Sequence, residues 1–166
     1  MTLNFKKATI SDVPTITTLA SKIWHLHYAT IITEEQIDYM LQTRYSNAAI
    51  EDGIKQGEQF YIVEYGGEAI AYASFELKLD GYYLNKFYID VSRHRVGIGT
   101  QLFNFITTKL DTNKALRLQV NRQNYKAINF YFKMGFVIET VANFDIGNNY
   151  YMNDFVMIRT HNSLPF

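Results

Sequence analysis

The sequence contains no cysteine. A chain without thiols forms no disulfide and no thiolate metal site, and it offers no Cys nucleophile for an acyl-enzyme mechanism. Long apolar runs are missing too. No stretch approaches the roughly 18 apolar residues that span a bilayer, and the opening segment MTLNFKKATISD lacks the apolar run of a signal peptide. We therefore expect a soluble cytoplasmic protein with no membrane partner.

Net charge is also absent, because 16 basic residues balance 16 acidic residues. No global electrostatic field would draw such a chain to nucleic acid or to an anionic membrane surface. A long basic patch of the kind that follows a nucleic-acid backbone is likewise missing. We expect no nucleic-acid partner, and any site for an anion must be local.

Hydrophobic and aromatic residues are plentiful. Of the 166 residues 48% are hydrophobic, with 13 Tyr and 12 Phe. A chain of this size and composition can bury a substantial core, and its length is that of one domain. We interpret the scattered aromatic residues as core and pocket lining rather than as a stacking platform for bases. The expected organisation is a single domain over residues 1–166.

Cap and turn signals divide the chain into short elements. Thr33 followed by Gln36 is a capping box, Asn124 is a helix cap and Gly135 a helix end. Glycine pairs and Asp-Gly mark hairpin turns in an aromatic, β-branched segment. The predicted elements are a strand at 3–8, helices at 11–24, 33–41 and 47–56, a three-strand meander at 59–91, a helix at 97–110, a strand at 115–120, a helix at 125–134, and strands at 136–140 and 150–158. Single helices between strands, without repeats, favour one mixed α/β sheet.

The segment RHRVGIGTQL, residues 93–102, has two glycines ahead of a predicted helix. It is not a P-loop, since Gly99 is followed by Thr100 and Gln101 rather than by Lys and Ser or Thr. It is not a dinucleotide fingerprint either, because Leu102 stands where the third glycine belongs.

A helix start can nevertheless hold an anion. Its first amides are unpaired and carry the positive end of the macrodipole, so they favour phosphate. Gly97 and Gly99 leave those amides uncovered, and Arg93, His94 and Arg95 could add charged contacts. An ordinary strand-to-helix turn with glycines for tight packing explains the segment equally well. The segment alone leaves both alternatives open.

A second motif, LQVNRQNYKAINFYFKMGF at residues 118–136, bears on this choice. Together with HRVGIG it resembles the GNAT superfamily of N-acetyltransferases, which use acetyl-CoA. The family signature Asn-x-x-Ala-x-x-Phe-Tyr-x-x-x-Gly-Phe is matched from Asn124 to Phe136, and the signature Gln/Arg-x-x-Gly-x-Gly/Ala is matched at Gly97 and Gly99. His94 stands where the family has Gln or Arg, and Val96 where many relatives are basic. The likeness covers essentially the whole chain.

The resemblance implies a fold and a cofactor site. The fold is an α/β (α+β) mixed, mostly antiparallel sheet of about six or seven strands with a V-shaped splay, flanked by about four or five helices. Acetyl-CoA would lie in the splay as though it were an added strand, with its pyrophosphate on residues 94–100. The cofactor-binding residues implied are Phe87, Tyr88, Ile89, His94, Arg95, Val96, Gly97, Ile98, Gly99, Thr100, Asn124, Phe130 and Tyr131.

Three residues are the implied catalytic groups. The amide near Ile89 would stabilise the oxyanion, and Tyr131 matches the general acid that protonates the departing thiolate. An isolated tyrosine at this position would more often be a core residue on a buried helix face, but its place in the matched motif favours the functional role. For the base, Glu76 is the first candidate, while Asp90, His25, His27 and water stay open. No spacing of His, Asp and Glu predicts a metal site, so none is expected.

The resemblance implies an N-acetyltransferase with direct transfer to a primary amine. The segment 23–40 and the hairpin around 148–157 are rich in aromatic and acidic residues that suit an amine. A polyamine, an amino-acid-like metabolite, an aminoglycoside and a peptide all remain acceptors. The alternative is a noncatalytic CoA-binding sensor on the same fold. Exposed sheet edges and the aromatic last hairpin are compatible with a homodimer.

Overall fold

The computed structural model of the chain describes residues 2–90, 92 and 97–160. Three residues of the expected pyrophosphate loop, His94, Arg95 and Val96, lie outside the described residues, and so does Arg93. In the described part, no helix is long and apolar enough to cross a membrane.

The described chain contains seven strands and five α-helices. Their bounds are β1 Asn4–Lys7, α1 Val13–His27, α2 Glu34–Arg44, α3 Asn47–Lys55, β2 Gln59–Tyr65, β3 Glu68–Lys78, β4 Gly81–Ile89, α4 Ile98–Thr107, β5 Leu116–Asn121, α5 Tyr125–Lys133, β6 Val137–Gly147 and β7 Tyr150–Arg159. The hydrogen-bonded strand order is β1-β2-β3-β4-β5-β7-β6. Strands β4 and β5 are parallel, whereas the β1–β2, β2–β3, β5–β7 and β6–β7 pairs are antiparallel. The expected mixed, mostly antiparallel fold is confirmed.

The pairing of β4 with β5 is short. It runs from Tyr82 to Leu84 on β4, opposite residues 116–118 of β5. Strand β5 continues to Asn121 and pairs over its whole length with β7. Strand β5 therefore continues past its residues that pair with β4.

Local capping positions the helices as the sequence predicted. The Thr33 hydroxyl accepts from the Gln36 amide at 3.2 Å, and the Asn124 carboxamide oxygen accepts from the Ala127 amide at 3.2 Å. Each bond satisfies an amide that has no partner within the helix. Gly135, with φ of 87°, ends α5.

Four predicted element ends were wrong by three residues or more. Two are helix ends: α2 continues past Leu41 to Arg44, and α4 ends at Thr107 rather than near Leu110.

The other two are the ends of α1 and β6. Helix α1 continues past Trp24 to His27, and its last turn is exposed enough that no apolar stripe marks it. Strand β6 runs to Gly147 rather than ending near Thr140. It lies at the end of the strand order and its residues are exposed or half-buried, so a clear alternation of apolar and polar residues is missing.

The contacts within the chain divide it into two compact units. The first comprises residues 1–76 and 86–108, and Trp24, Phe60 and Phe103 are among its most deeply buried side chains. The second comprises residues 77–85 and 109–166, with Phe136 and Met157 fully buried. The organisation as one domain stays a prediction.

Candidate functional site

Strand β4 presents two different faces within the first unit. The Tyr88 ring lies 5.4 Å from the Tyr72 ring of β3, and Lys86 Nζ lies 3.1 Å from Glu58 Oε1. Phe87 packs instead on Phe103 of α4, at a ring distance of 6.4 Å. Since side chains alternate along a strand, Ile89 shares the α4 face with Phe87. The three residues predicted to pair with acetyl-CoA through their backbone thus carry side chains that are anchored on both faces.

Tyr88 belongs to an aromatic cluster of five residues, Trp24, Tyr28, Tyr45, Tyr72 and Tyr88. The Trp24 ring stacks on Tyr28 at 4.2 Å and lies 4.9 Å from Tyr45. Burial raises the pKa of the Tyr45, Tyr72 and Tyr88 phenols, so all three are neutral at physiological pH. The cluster is therefore aromatic and uncharged.

Two polar atoms of the aromatic cluster have no hydrogen-bond partner among the described residues. They are Trp24 Nε1 and the Tyr72 hydroxyl, and both residues are almost fully buried. Buried polar groups are normally satisfied by protein, water or ligand. A water molecule or a polar group of a bound molecule would satisfy these two.

A buried ion pair lies on the same face of β4. Glu58 Oε1 accepts from the Ser74 hydroxyl at 2.5 Å and from Lys86 Nζ at 3.1 Å. Lys86 Nζ also lies over the ring of Phe60, 5.1 Å from its centroid. These groups come from the start of β2, from β3 and from β4, so only strand pairing brings them together. No short sequence motif marks these residues as neighbours.

Asp90 follows β4 and is tied to its surroundings. Its Oδ2 lies 2.5 Å from Lys22 Nζ, and its Oδ1 accepts from the amide and the hydroxyl of Ser92 at 3.0 and 2.9 Å. Burial opposes ionisation of Asp90, but the hydrogen bonds from Lys22 and Ser92 outweigh it and lower the pKa. A carboxylate with a lowered pKa is a weak base. Asp90 fixes the end of β4 rather than offering a good proton acceptor.

The other candidate bases have different settings. Glu76 is half-buried on β3 and, by alternation with Tyr72 and Ser74, it lies on the face of the aromatic cluster. His25 Nε2 lies 3.6 Å from Asp38 Oδ1, and its side chain is 44% exposed. His27 stands edge-on to the Tyr28 ring, 5.0 Å away. The role of Glu76 as the base stays a prediction.

Helix α4 begins at Gly97, which has φ of 65° and ψ of 18°. This left-handed conformation is easy for glycine and strained for other residues. A Cβ at Gly97 would meet nothing within 4 Å, so the glycine is needed for its backbone and not for lack of space. The carbonyl of Gly97 accepts from Gln101 at 3.1 Å, which closes the first turn. The amides of Ile98, Gly99 and Thr100 precede that bond, so they have no partner within the helix itself.

Helix α5 carries the second motif within the second unit. Tyr131 is 7% exposed, and its ring lies 5.5 Å from Phe130 and 5.6 Å from Phe136. The Phe136 amide donates to the Tyr131 carbonyl at 3.0 Å. The helix cap at Asn124 and this exit contact hold the tyrosine in one orientation. The acid role of Tyr131 and the cofactor role of Asn124 and Phe130 stay predictions.

Strand β7 adds a buried carboxyl that the sequence analysis missed. Asp154 is 5% exposed, and burial raises its pKa to about 6, with Arg122 acting in the opposite direction. The sequence placed Asp154 within the hairpin segment 148–157 that suits an amine, but it did not single out this residue. Among the described residues, no group of three or more His, Asp or Glu could hold a metal ion.

Comparison with known proteins decides the family. The model of the acetyltransferase (GNAT) domain matches residues 28–145, which is more than half of the chain. The chain belongs to the GNAT family of acetyltransferases. Its activity class is therefore N-acetyl transfer, as the two motifs indicated.

The names of similar proteins indicate different acceptors. The chain is 26% identical over 147 residues to spermidine N(1)-acetyltransferase of Thermoplasma acidophilum, covering 84% of this chain and 91% of that protein. The crystal structure of the PaiA N-acetyltransferase of T. acidophilum with coenzyme A matches with a TM-score of 0.83 at 23% identity, covering 96% of this chain and 99% of that one. The ribosomal-protein-S18-alanine N-acetyltransferase of Escherichia coli matches with a TM-score of 0.74 at 17% identity, covering 99% and 100%. The two structural matches show the fold, and they leave the acceptor open.

Proposed function

We propose that this GNAT acetyltransferase transfers the acetyl group of acetyl-CoA directly to a primary amine of a small molecule, with a polyamine as the first acceptor to test. The observation that carries the proposal is the left-handed Gly97 that starts α4 soon after β4. Three unpaired amides at a helix start, beside glycines, suit a pyrophosphate without a lysine. The relative named as a spermidine acetyltransferase supports the choice of acceptor.

Residues of the chain would hold the donor in three ways. The backbone of Phe87, Tyr88 and Ile89 would pair with the pantetheine arm as an added strand. The amides of residues 97–100 would bind the pyrophosphate, and Asn124 and Phe130 would lie against the same molecule. A polar cap and an aromatic ring at the start and middle of α5 suit that contact.

The chemistry needs a group for the carbonyl oxygen and a group for the departing sulfur. The Ile89 amide would donate to the oxygen as negative charge develops on it. The Tyr131 hydroxyl would donate its proton to the thiolate, which a phenol of pKa about 10 can do for a thiol of pKa about 8.5 at short range. The absence of cysteine, the commonest acyl-enzyme nucleophile, favours direct transfer.

The experiment that tests the function measures acceptor-dependent release of free thiol from acetyl-CoA. The acceptor panel contains polyamines, amino acids, aminoglycosides and short peptides with free N-termini. Release that saturates with a polyamine supports the proposal. Tight binding of acetyl-CoA with no release for any member of the panel would contradict it and would favour a CoA-binding sensor. Release with peptides alone would overturn the small-molecule acceptor.

A further inference from the structure

Asp154 is a buried carboxyl in the middle of paired strands. It lies opposite Asn121, the last residue of β5, and opposite Ala142 of β6. Neither of these neighbours is ionisable. Only 5% of Asp154 is exposed, although aspartate is rarely buried without a partner.

The hydrogen bonding of Asp154 is incomplete. Its Oδ1 is buried and has no hydrogen-bond partner among the described residues. The charged group near it is Arg122, whose guanidinium donates to the side-chain oxygen of Asn143 at 2.6 Å. A buried carboxylate oxygen without a donor costs free energy, so it persists where a ligand supplies the donor. An ammonium group is such a donor.

The surroundings place Asp154 at the end of β5 from which α5 starts. Asn121 accepts from the Gln123 amide through its side chain at 2.9 Å and from the Asn124 amide through its carbonyl at 2.9 Å. Asn124 is the cap of the helix that carries Tyr131. Asp154 is therefore the strand partner of Asn121, and Asn121 begins the turn that leads into this helix. Asp154 also lies past Leu118, where the pairing of β5 with β4 ends.

An acceptor amine needs a base in this reaction. A primary alkylamine with a pKa of about 10.4 is protonated at neutral pH and has no lone pair for attack. Burial raises the pKa of Asp154 to about 6. This value is closer to the pKa of the amine than the pKa of an ordinary aspartate is, so proton transfer from the amine is less unfavourable. The Asp90 carboxylate already accepts hydrogen bonds from Lys22 and Ser92. The Glu58 carboxylate already accepts hydrogen bonds from Lys86 and Ser74.

We propose that Asp154, in place of the expected Glu76, is the base that accepts a proton from the ammonium group of the acceptor. The N–H bond breaks, its proton passes to the Asp154 carboxylate, and its electron pair stays on nitrogen as the lone pair that attacks the thioester carbon. The Asp154 carboxyl returns the proton to water after product release. This assignment rests on the proposed transfer to a primary amine.

The test compares Asp154→Asn with the wild type over a range of pH. Asparagine keeps the shape but cannot accept the proton. We expect kcat/KM for a polyamine at pH 7 to fall by about 100-fold or more and to recover as the pH approaches the pKa of the amine. For an acceptor with an α-amine, whose pKa is about 8, kcat/KM should fall less than for an alkylamine. The KM for acetyl-CoA should stay unchanged. Asp145→Asn is the matched control, since Asp145 is exposed in the same hairpin and its Oδ1 accepts from the Gly147 amide.

The outcomes separate this assignment from the proposed function. If Asp154→Asn keeps the wild-type rate and pH profile, Asp154 is not the base, whereas the transferase activity stands. An equal loss at every pH and for both kinds of amine would also overturn the assignment, because it indicates a structural role. If the wild type itself releases no thiol with any amine, the proposed function fails and the assignment fails with it.

Discussion

The hydroxyl of Tyr45 lies 2.7 Å from the hydroxyl of Tyr88. Tyr45 follows the last turn of α2, and Tyr88 lies on β4 directly before Ile89. The bond therefore joins the end of α2, whose first residues belong to the segment 23–40 that is expected to border the acceptor, to the strand that is expected to bind the donor. Both phenols are neutral, since burial raises their pKa values.

Removal of this bond gives the first prediction. Tyr45→Phe leaves the Tyr88 hydroxyl without that partner in a buried place, so the free energy of unfolding should fall by about 1–2 kcal/mol. Urea unfolding followed by tryptophan fluorescence measures it, because Trp24 packs on Tyr45. Tyr39→Phe, on α2, is the comparison variant. An unchanged urea midpoint for Tyr45→Phe would show that the bond contributes nothing.

The start of α4 gives the second prediction. Gly97→Ala forces alanine into a left-handed conformation, which costs about 1 kcal/mol and moves the first amides of the helix. The dissociation constant for CoA, measured by calorimetry, should rise several-fold.

Gly67→Ala is the matched control for Gly97→Ala. Gly67 also has a positive φ, 85°, and a Cβ there would also meet nothing within 4 Å, but it lies in the β2–β3 turn. It should lose a similar amount of stability and bind CoA normally. Equal CoA affinity in both variants would remove α4 from the phosphate site.

The acid role of Tyr131 gives the third prediction. Tyr131→Phe keeps the ring contacts with Phe130 and Phe136 but removes the proton donor. Turnover should fall by about 10- to 1,000-fold while CoA still binds, because the group acts on the departing thiolate. Tyr125→Phe, exposed on the same helix, should have wild-type turnover. Full activity of Tyr131→Phe would leave Tyr131 as a core residue only.

The buried Asp154 gives the fourth prediction, which concerns stability. Its pKa is raised to about 6 in the folded chain, against 3.8 as the ordinary value. The folded state therefore binds more protons between these values, so stability falls as pH rises from about 4 to about 6. The shift lowers the free energy of unfolding above pH 6 by about 3 kcal/mol at most.

Asp154→Asn removes this penalty because asparagine is never charged. Its melting temperature should exceed that of the wild type at pH 7, and the difference should shrink towards pH 4. Scanning calorimetry at both pH values measures this. A variant that is less stable at pH 7 would indicate that the Asp154 carboxylate is paired in the folded protein. Greater stability with lower activity would mark a residue kept for function.

Much of the fold was predictable from local signals. The caps at Thr33 and Asn124 and the helix end at Gly135 lie where the sequence placed them, since each depends on a few neighbouring residues. Boundaries failed where no apolar pattern marks them, at the exposed last turn of α1 and along the exposed strand β6.

The candidate site was only partly predictable. Gly97 and Tyr131 belong to contiguous motifs and could be assigned from spacing and from the family resemblance. The Glu58–Lys86 pair and Asp154 depend on which strands pair and in which register, and no short motif encodes that. Sequence also named Asp90 as an open candidate, yet its contacts with Lys22 and Ser92 become visible only in the folded chain.

One measurement tests the central claim most directly: the initial rate of free-thiol release from acetyl-CoA as a function of polyamine concentration. The account predicts a rate that saturates with the polyamine, yields acetylated amine and free CoA in equal amounts, and drops sharply in Tyr131→Phe. Acetyl-CoA bound to the protein with no amine-dependent release, across the whole panel of amines and peptides, would contradict it.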